Sequence, residues 1–396
     1  MKYFFLFVLF LSVTHLKAQN LQRFHDKLLL VDTHNDILEQ CAGKPYNFDQ
    51  NLKGKTQSDL DRFKAGGVDV QMFSVWCDGL QKEPFAFANK EIDSLDAVIK
   101  RNPSKIVKVG NYKALKQAVK QHKLAAMIGV EGGHMMEDKL ENLDSLYKRG
   151  ARYMTLTWNN STSFATSASD ETALIKADAN EGRTERKNGL TDFGKQVVKH
   201  MNALGMMVDV SHVGEQTFWD VINTTTKPVL VSHSSVYALC PAFRNLKDDQ
   251  IKAVAKNGGV IDINFFSGFL DSNYKKRNAA FALKHKAEKD SLMKINPEPY
   301  FTDGYLFNKY PEEVQAIRAP LSLVISHIDY IIQLVGIDYV GIGSDFDGIN
   351  SSPQQLDDVT NYPLITKALL DKGYSKKDIQ KIYGGNFLRV LKANEN

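Results

Sequence analysis

Cysteine is scarce in this chain, with only Cys41, Cys77 and Cys240 in 396 residues. So sparse and odd a count describes no disulfide framework; it leaves room for one bridge at most and requires none. Neither sign of charge is in excess. The 50 Lys and Arg against 46 Asp and Glu give a net charge of +4, and they are spread so evenly that no polybasic patch for nucleic acid or a membrane surface is built. Internal repeats, low-complexity tracts and Pro/Ser-rich linkers are missing, which argues against separate modules. Long apolar runs are missing too, except at the start. There Lys2 precedes an apolar stretch, Tyr3 to Val13, too short to span a bilayer, and Leu16-Lys17-Ala18 offers a cleavage site. Residues 1–18 therefore read as a signal peptide and 19–396 as a single exported domain, periplasmic or secreted, with no stable membrane insertion after cleavage.

What the sequence does contain is a recurring pattern. Short runs rich in Val, Ile and Met alternate with stretches of helical period. Eight such runs can be counted: "LLLVDT" at 28, "VDVQMFSV" at 68, "AAMIGVE" at 125, "RYMTLTW" at 152, "MMVDVS" at 206, "PVLVSH" at 228, "VIDINFF" at 260 and "YVGIGSD" at 339. Their hydrophobicity is continuous rather than alternating, which suits strands buried on both faces of a parallel sheet. Thr191 is placed to cap a helix through "DFGKQVVKHMNAL" that Gly205 ends, and Pro320 and Gly336 bracket "LSLVISHIDYIIQLV". These features predict an α/β fold, a (β/α)8 TIM-like barrel with loop insertions at 160–188 and 270–318. A doubly wound open sheet is the alternative.

Ionisable residues gather at the ends of the predicted strands. The first run ends in His34 and Asp36, the third in Glu131, the fifth in His212, the sixth in His233 and the eighth in Asp345. In a barrel those ends meet at one mouth. Any one of the six could cap a turn or be a satisfied buried imidazole. Together they form a set that is costly to bury uncompensated and that suits divalent metal, zinc first among borderline N/O-binding ions, with manganese, cobalt or iron as alternatives. The stoichiometry suggests two ions: His34 with Asp36 on one, His212 with His233 on the other, and Glu131 bridging. A shared water would be activated to hydroxide, and Asp345 would take and return a proton. His327 falls within a predicted helix and reads as structural. Asp347 reads as a turn residue before Gly348.

With these residues in view, the chain resembles the membrane (renal) dipeptidase family of zinc metallopeptidases, an amidohydrolase-like barrel type. The likeness runs from about 28 to 391, through "VDTHND", "GVEGGH", "DVSHVG", "PVLVSHSSVYALC", "GIGSDFDG" and "YGGNFLRVL" in family order. The resemblance implies the same two-zinc assignment, with Asp345 as catalytic acid/base and Arg244 of "CPAFRN" gripping the substrate's C-terminal carboxylate. It also implies a homodimer, dipeptide substrates and tolerance of a C-terminal D-residue. Two departures stand out. Where family members commonly read "TLTH", with the histidine on the reacting carbonyl, this chain has "TLTW" and so places Trp158 as the substrate-binding residue, with Asn159 and Asn160 as alternative donors. A tyrosine of the mammalian members is replaced by Phe269. The expected function is an exported zinc dipeptidase. The alternatives are a related amidohydrolase acting on N-acyl amino acids or lactones, and a metal-binding homologue that has lost catalysis.

Overall fold

The computed structural model describes residues 19–181, 189–295 and 299–396. The predicted signal peptide lies outside the described residues, as does the 182–188 part of the first insertion. All eight apolar runs are strands: β1 Leu30–Asn35, β2 Val68–Trp76, β4 Leu124–Glu131, β5 Ala151–Thr155, β6 Met207–Asp209, β7 Leu230–Ser234, β8 Val260–Ile263 and β9 Val340–Ile342. They pair in parallel in the order β1-β2-β4-β5-β6-β7-β8-β9. A ninth strand, β3 Ile106–Lys108, lies off this path and pairs with the first residues of β4, while the end of β4 pairs with β5. The ring closes through a bridge between Asn35 and Phe346. Around it, Asp345 N donates to His34 O at 3.1 Å and Asp36 N to Phe346 O at 3.0 Å. The result is a nearly closed (β/α)8 barrel, stitched together at the carboxyl ends of its first and last strands.

Successive strand residues pack into different apolar clusters, which separates the barrel's inside from its outside. Val31, Val70, Met72, Ala125, Met127, Tyr153, Met207, Leu230 and Val260, drawn from seven strands, share the inner cluster. Phe387, Val390 and Leu391 of the C-terminal helix Asn386–Asn394 join it. The intervening positions pack outward against the helices. On β4 the inward row runs Ala125, Met127, Gly129, Glu131, so Glu131 stands at the top of a filled lumen.

Both helices foreseen at the sequence level form with the expected ends. Thr191 accepts a hydrogen bond from Gly194 N, and Gly205 takes a left-handed conformation (φ 80°) beyond Asp192–Leu204. Leu321–Val335 starts after Pro320 and ends at Gly336. The 270–318 segment, expected as a polar loop insertion, is instead four helices: Tyr274–Lys284, Lys286–Ile295, Pro299–Lys309 and Pro311–Ile317. They are built around a small core that includes Tyr274, Phe281, Leu306 and Val314. No described helix is long and apolar enough to cross a membrane.

Candidate active site

β1 and β7 carry the first histidines of the site, and both strands are irregular there. Asp32 pairs with Gln71 and Asn35 with Phe73, so three steps on β1 match two on β2. Likewise Val231 and Ser234 of β7 match Ile261 and Ile263 of β8. Each strand thus carries a bulge of one residue, and the bulges re-aim His34 and His233. His212, Asp345 and Asp347 hold left-handed backbones, with φ of 63°, 62° and 69°. Such conformations are costly for residues other than glycine and gather at functional sites.

The six predicted residues come together in one cluster, His34, His212 and His233 around Glu131, and Asp36 and Asp345 beside His34. Glu131 Oε1 lies 2.9 Å from His212 Nε2 and 3.5 Å from His233 Nε2, while Oε2 lies 3.3 Å from His34 Nε2. His34 Nε2 is also 3.5 Å from Asp36 Oδ2 and 4.0 Å from Asp345 Oδ1. Asn264 Nδ2 donates to the other Asp345 oxygen at 2.8 Å. Gly348 makes this crowding possible, since a Cβ there would stand 2.1 Å from Asp36 Oδ2 and 2.5 Å from Asp345 Oδ1.

Whether these residues fit a metal can be judged from their free lone pairs. Tyr153 OH donates to Thr33 O at 3.2 Å, so it accepts from His34 Nδ1–H at 2.9 Å. Ser232 Oγ donates to Asp209 Oδ2 at 2.6 Å and accepts from His233 Nδ1–H at 2.7 Å. His212 Nδ1 faces Asn159 Oδ1 at 3.2 Å. All three rings therefore turn an Nε2 lone pair toward the carboxylates. The His212 and His233 Nε2 atoms are only 3.0 Å apart, while buried His34 Nε2 and Asp36 Oδ1 have no hydrogen-bond partner. Lone pairs facing one another at this distance repel unless a cation lies among them. His34, Glu131 and His233 form one group with ligand spacing, and His34, Asp36 and Asp345 form another.

The electrostatics agree. Burial opposes the charge on Glu131, yet His34 above all, with His212 and His233 beside it, holds its carboxyl well below the usual range. Burial likewise opposes a charged His34, but Tyr153, Asp36 and Glu131 raise it well above an ordinary imidazole. The cluster thus calls for positive charge at His34 Nε2. His212 is pushed down to about 4 by burial and by Arg244, as a neutral ligand requires. Burial lifts Asp345 well up, against the pull of His34 and with the push of Asp36 and Glu131.

The cluster opens into a cavity of about 810 Å³ whose walls include Trp76, Trp158, Asn159, Phe243, Arg244 and Phe269. Arg244 is buried and donates to Ser234 Oγ and to His233 O, each at 3.2 Å. Its Nε is left without a partner, and its guanidinium sits 5.5 Å from the centre of the Phe269 ring. Trp158 packs edge-on against Trp76 with centroids 4.9 Å apart. Of the alternatives to Trp158 as donor, Asn159 has its carbonyl engaged by His212, while Asn160 donates to Ser161 O and packs against Gly79. His134 is tied to Cys77 O at 3.1 Å, away from the centre. The three cysteines are free.

Residues 18–396 match the family described as membrane dipeptidase, peptidase family M19. The chain belongs to that family. Dipeptidase 3 of Macaca fascicularis is 30% identical over 372 residues, which is 92% of this chain and 65% of that relative's length. Among solved structures, the probable dipeptidase PvdM from Pseudomonas aeruginosa superposes with a TM-score of 0.74 at 24% identity, covering 95% of this chain and 98% of the other. A metallo peptidase from Rhodobacter sphaeroides, liganded with a phosphinate mimic of the dipeptide L-Ala-D-Ala, does so at 0.73 and 21%, covering 93% and 99%. These structures share the family's fold. Metal dependence is a property of the family, and the donor set described above is suited to it.

Three features of the site escaped sequence reading. The bulges leave no mark in the hydrophobic period. Tyr153 and Asp209 carry no signal of their own within the strand runs, although "DVSH" places Asp209 three positions before a ligand candidate. Asp347, read as a turn residue, does sit in a turn, but it is buried and accepts from Ser58 Oγ and from Gln57 N at 2.5 Å. It thereby ties the 57–58 loop to the turn beyond β9, where Asn35 at the end of β1 also donates to Asp347 Oδ2 at 3.4 Å.

Proposed function

We propose that the chain is an exported dipeptidase that holds two zinc ions about Glu131 and hydrolyses the peptide bond of dipeptides, including those with a C-terminal D-residue. The observation that carries this reading is Arg244, which lines the same cavity as the Glu131 cluster and whose buried Nε has no partner. A guanidinium so placed takes a carboxylate bidentately. A free carboxylate one residue beyond the bond to be cut distinguishes a dipeptide from a longer chain. The phosphinate mimic of L-Ala-D-Ala bound by the Rhodobacter sphaeroides protein motivates the D-residue, and the apolar segment at Tyr3 to Val13 motivates export.

His34, Asp36 and Glu131 would hold one ion; His212, His233 and Glu131 would hold the other. Zinc so bound supplies Lewis-acid polarisation and water activation at neutral pH. The chain's own residues do the rest. Arg244 anchors the carboxylate and so sets the scissile bond in register with the cluster. Asp345, oriented by Asn264, moves a proton to the leaving amine, a role that its raised proton affinity suits. The Trp76 and Trp158 rings cover the centre and reduce its hydration. Trp158 Nε1 makes no hydrogen bond among the described residues, which leaves it as a donor for the scissile carbonyl. One observation favours a second reading of Asp345: its spacing with His34 and Asp36 is that of a ligand set.

Metal analysis combined with a substrate panel tests the proposal. Two zinc ions per chain are expected, with turnover of L–L and L–D dipeptides and little of tripeptides or N-acyl amino acids. Tripeptides cleaved as fast as dipeptides would sink the role of Arg244. Two ions with no turnover anywhere in the panel would leave a binding protein.

A further inference from the structure

We infer that each of the two metal positions has its own orienting relay, His34–Tyr153–Thr33 and His233–Ser232–Asp209, and that Tyr153 and Ser232 are positioning residues that each govern one binding step. The inference rests on the two-zinc reading above and deepens it.

The Tyr153 ring is fully buried inside the barrel, in space that exists because position 129 on β4 is glycine. A Cβ at Gly129 would stand 1.9 Å from Tyr153 Cζ. The ring is thereby aimed so that its hydroxyl meets His34 Nδ1 at 2.9 Å and, as a donor, Thr33 O at 3.2 Å. With that proton committed, the hydroxyl can only accept from His34, which fixes the Nδ1–H tautomer and leaves the Nε2 lone pair for metal.

The second relay has the same logic and different chemistry. Ser232 Oγ accepts from His233 Nδ1 at 2.7 Å and donates to Asp209 Oδ2 at 2.6 Å. Asp209 is itself held by Thr155 Oγ1 at 2.5 Å, Ser232 N at 2.9 Å and Ser211 N at 3.1 Å. One relay ends on a peptide carbonyl, the other on a buried carboxylate. No side chain is common to the two, and each starts from its own strand bulge.

Zinc titration of the full-length protein against a competing chelator tests this in wild type, Tyr153→Phe and Ser232→Ala. Tyr153→Phe keeps the ring that fills the space over Gly129 and removes only the hydroxyl. Each variant is expected to weaken one of the two binding steps by about 10- to 100-fold and spare the other, and the affected step should differ between them. Loss at the same step in both variants, loss at both steps in either, or no change in either would overturn the inference. Nitrogen NMR of the zinc-loaded wild type, labelled at histidine, checks it without a variant. Coordination through Nε2 with a protected Nδ1 proton is expected at His34 and His233, and coordination through Nδ1 at either would overturn it. A wild-type protein that takes up no zinc refutes the two-zinc reading and this inference together. Indifferent variants beside a wild type that binds two ions refute the inference alone.

Discussion

At the scale of single residues, Glu131 is the hub, because one buried carboxylate faces three imidazoles on two sides. Glu131→Gln keeps the shape and removes the charge. It is expected to cost about 100-fold or more in metal affinity, with dipeptide turnover falling alongside, as read by metal analysis and initial rates. Arg244→Lys keeps a charge but loses the planar fork, so KM for dipeptides should rise about 10- to 100-fold with kcat changed far less. A fall in kcat with KM unmoved would place Arg244 in the chemical step instead. Trp158→His restores the donor common in the family and should raise kcat by about 100-fold if the indole donates poorly; unchanged kinetics would show the position has no role in the chemistry. His34, Asp36, Glu131, His212, His233 and Asp345 were legible in the sequence because each ends an apolar run. Tyr153 and Asp209 were not, because their significance lies in what they touch across the lumen.

At the scale of elements, the helix Leu321–Val335 shows what a structural histidine does. Val236 N donates to His327 Nδ1 and His327 Nε2 faces Leu270 O, both at 3.0 Å, so the neutral ring clamps two segments of the barrel rim to this helix. Burial pushes His327 down to about 4 from 6.5, against the small upward pull of the Leu270 carbonyl. The unfolded chain therefore binds a proton near pH 6.5 that the folded one refuses until about pH 4. Stability is lost as pH falls through that window, by about 3 kcal/mol from this group. Denaturant titrations at pH 7 and pH 4 check this, because His327→Gln should be less stable at pH 7 and lose correspondingly less on acidification. An equal loss in both proteins would assign the acid sensitivity elsewhere. The eight barrel strands and this helix could be read from run length and period. The four helices of 270–318 could not, because their small core draws only one or two side chains from each helix and no single segment shows a clear apolar stripe.

At the scale of the whole molecule, the site and the closure of the barrel occupy the same place. The Asn35–Phe346 bridge and the His34–Asp345 backbone contact join the first and last strands within the cluster itself. Metal held by the proposed ligands would tie the two ends of the sheet together, so stripping it with a chelator should lower the unfolding temperature by several degrees, about 4 kcal/mol for each ion held at a thousandfold over its Kd. A chelator-insensitive melting curve would separate the cluster from the stability of the fold. The barrel class, its eight strand runs, the ionisable residues at their ends and the membership of the family were contained in the sequence by itself, because burial on both faces writes continuous apolar runs and their ends fall at fixed places in the chain. What only the tertiary structure decided was aim: the bulges that turn His34 and His233 inward, the hydroxyls that set their tautomers, the glycines that leave room at positions 129 and 348, and the free Nε of Arg244. Each of these depends on contacts between strands far apart in sequence, and a linear pattern carries no record of which side chain will stand within hydrogen-bonding distance of another.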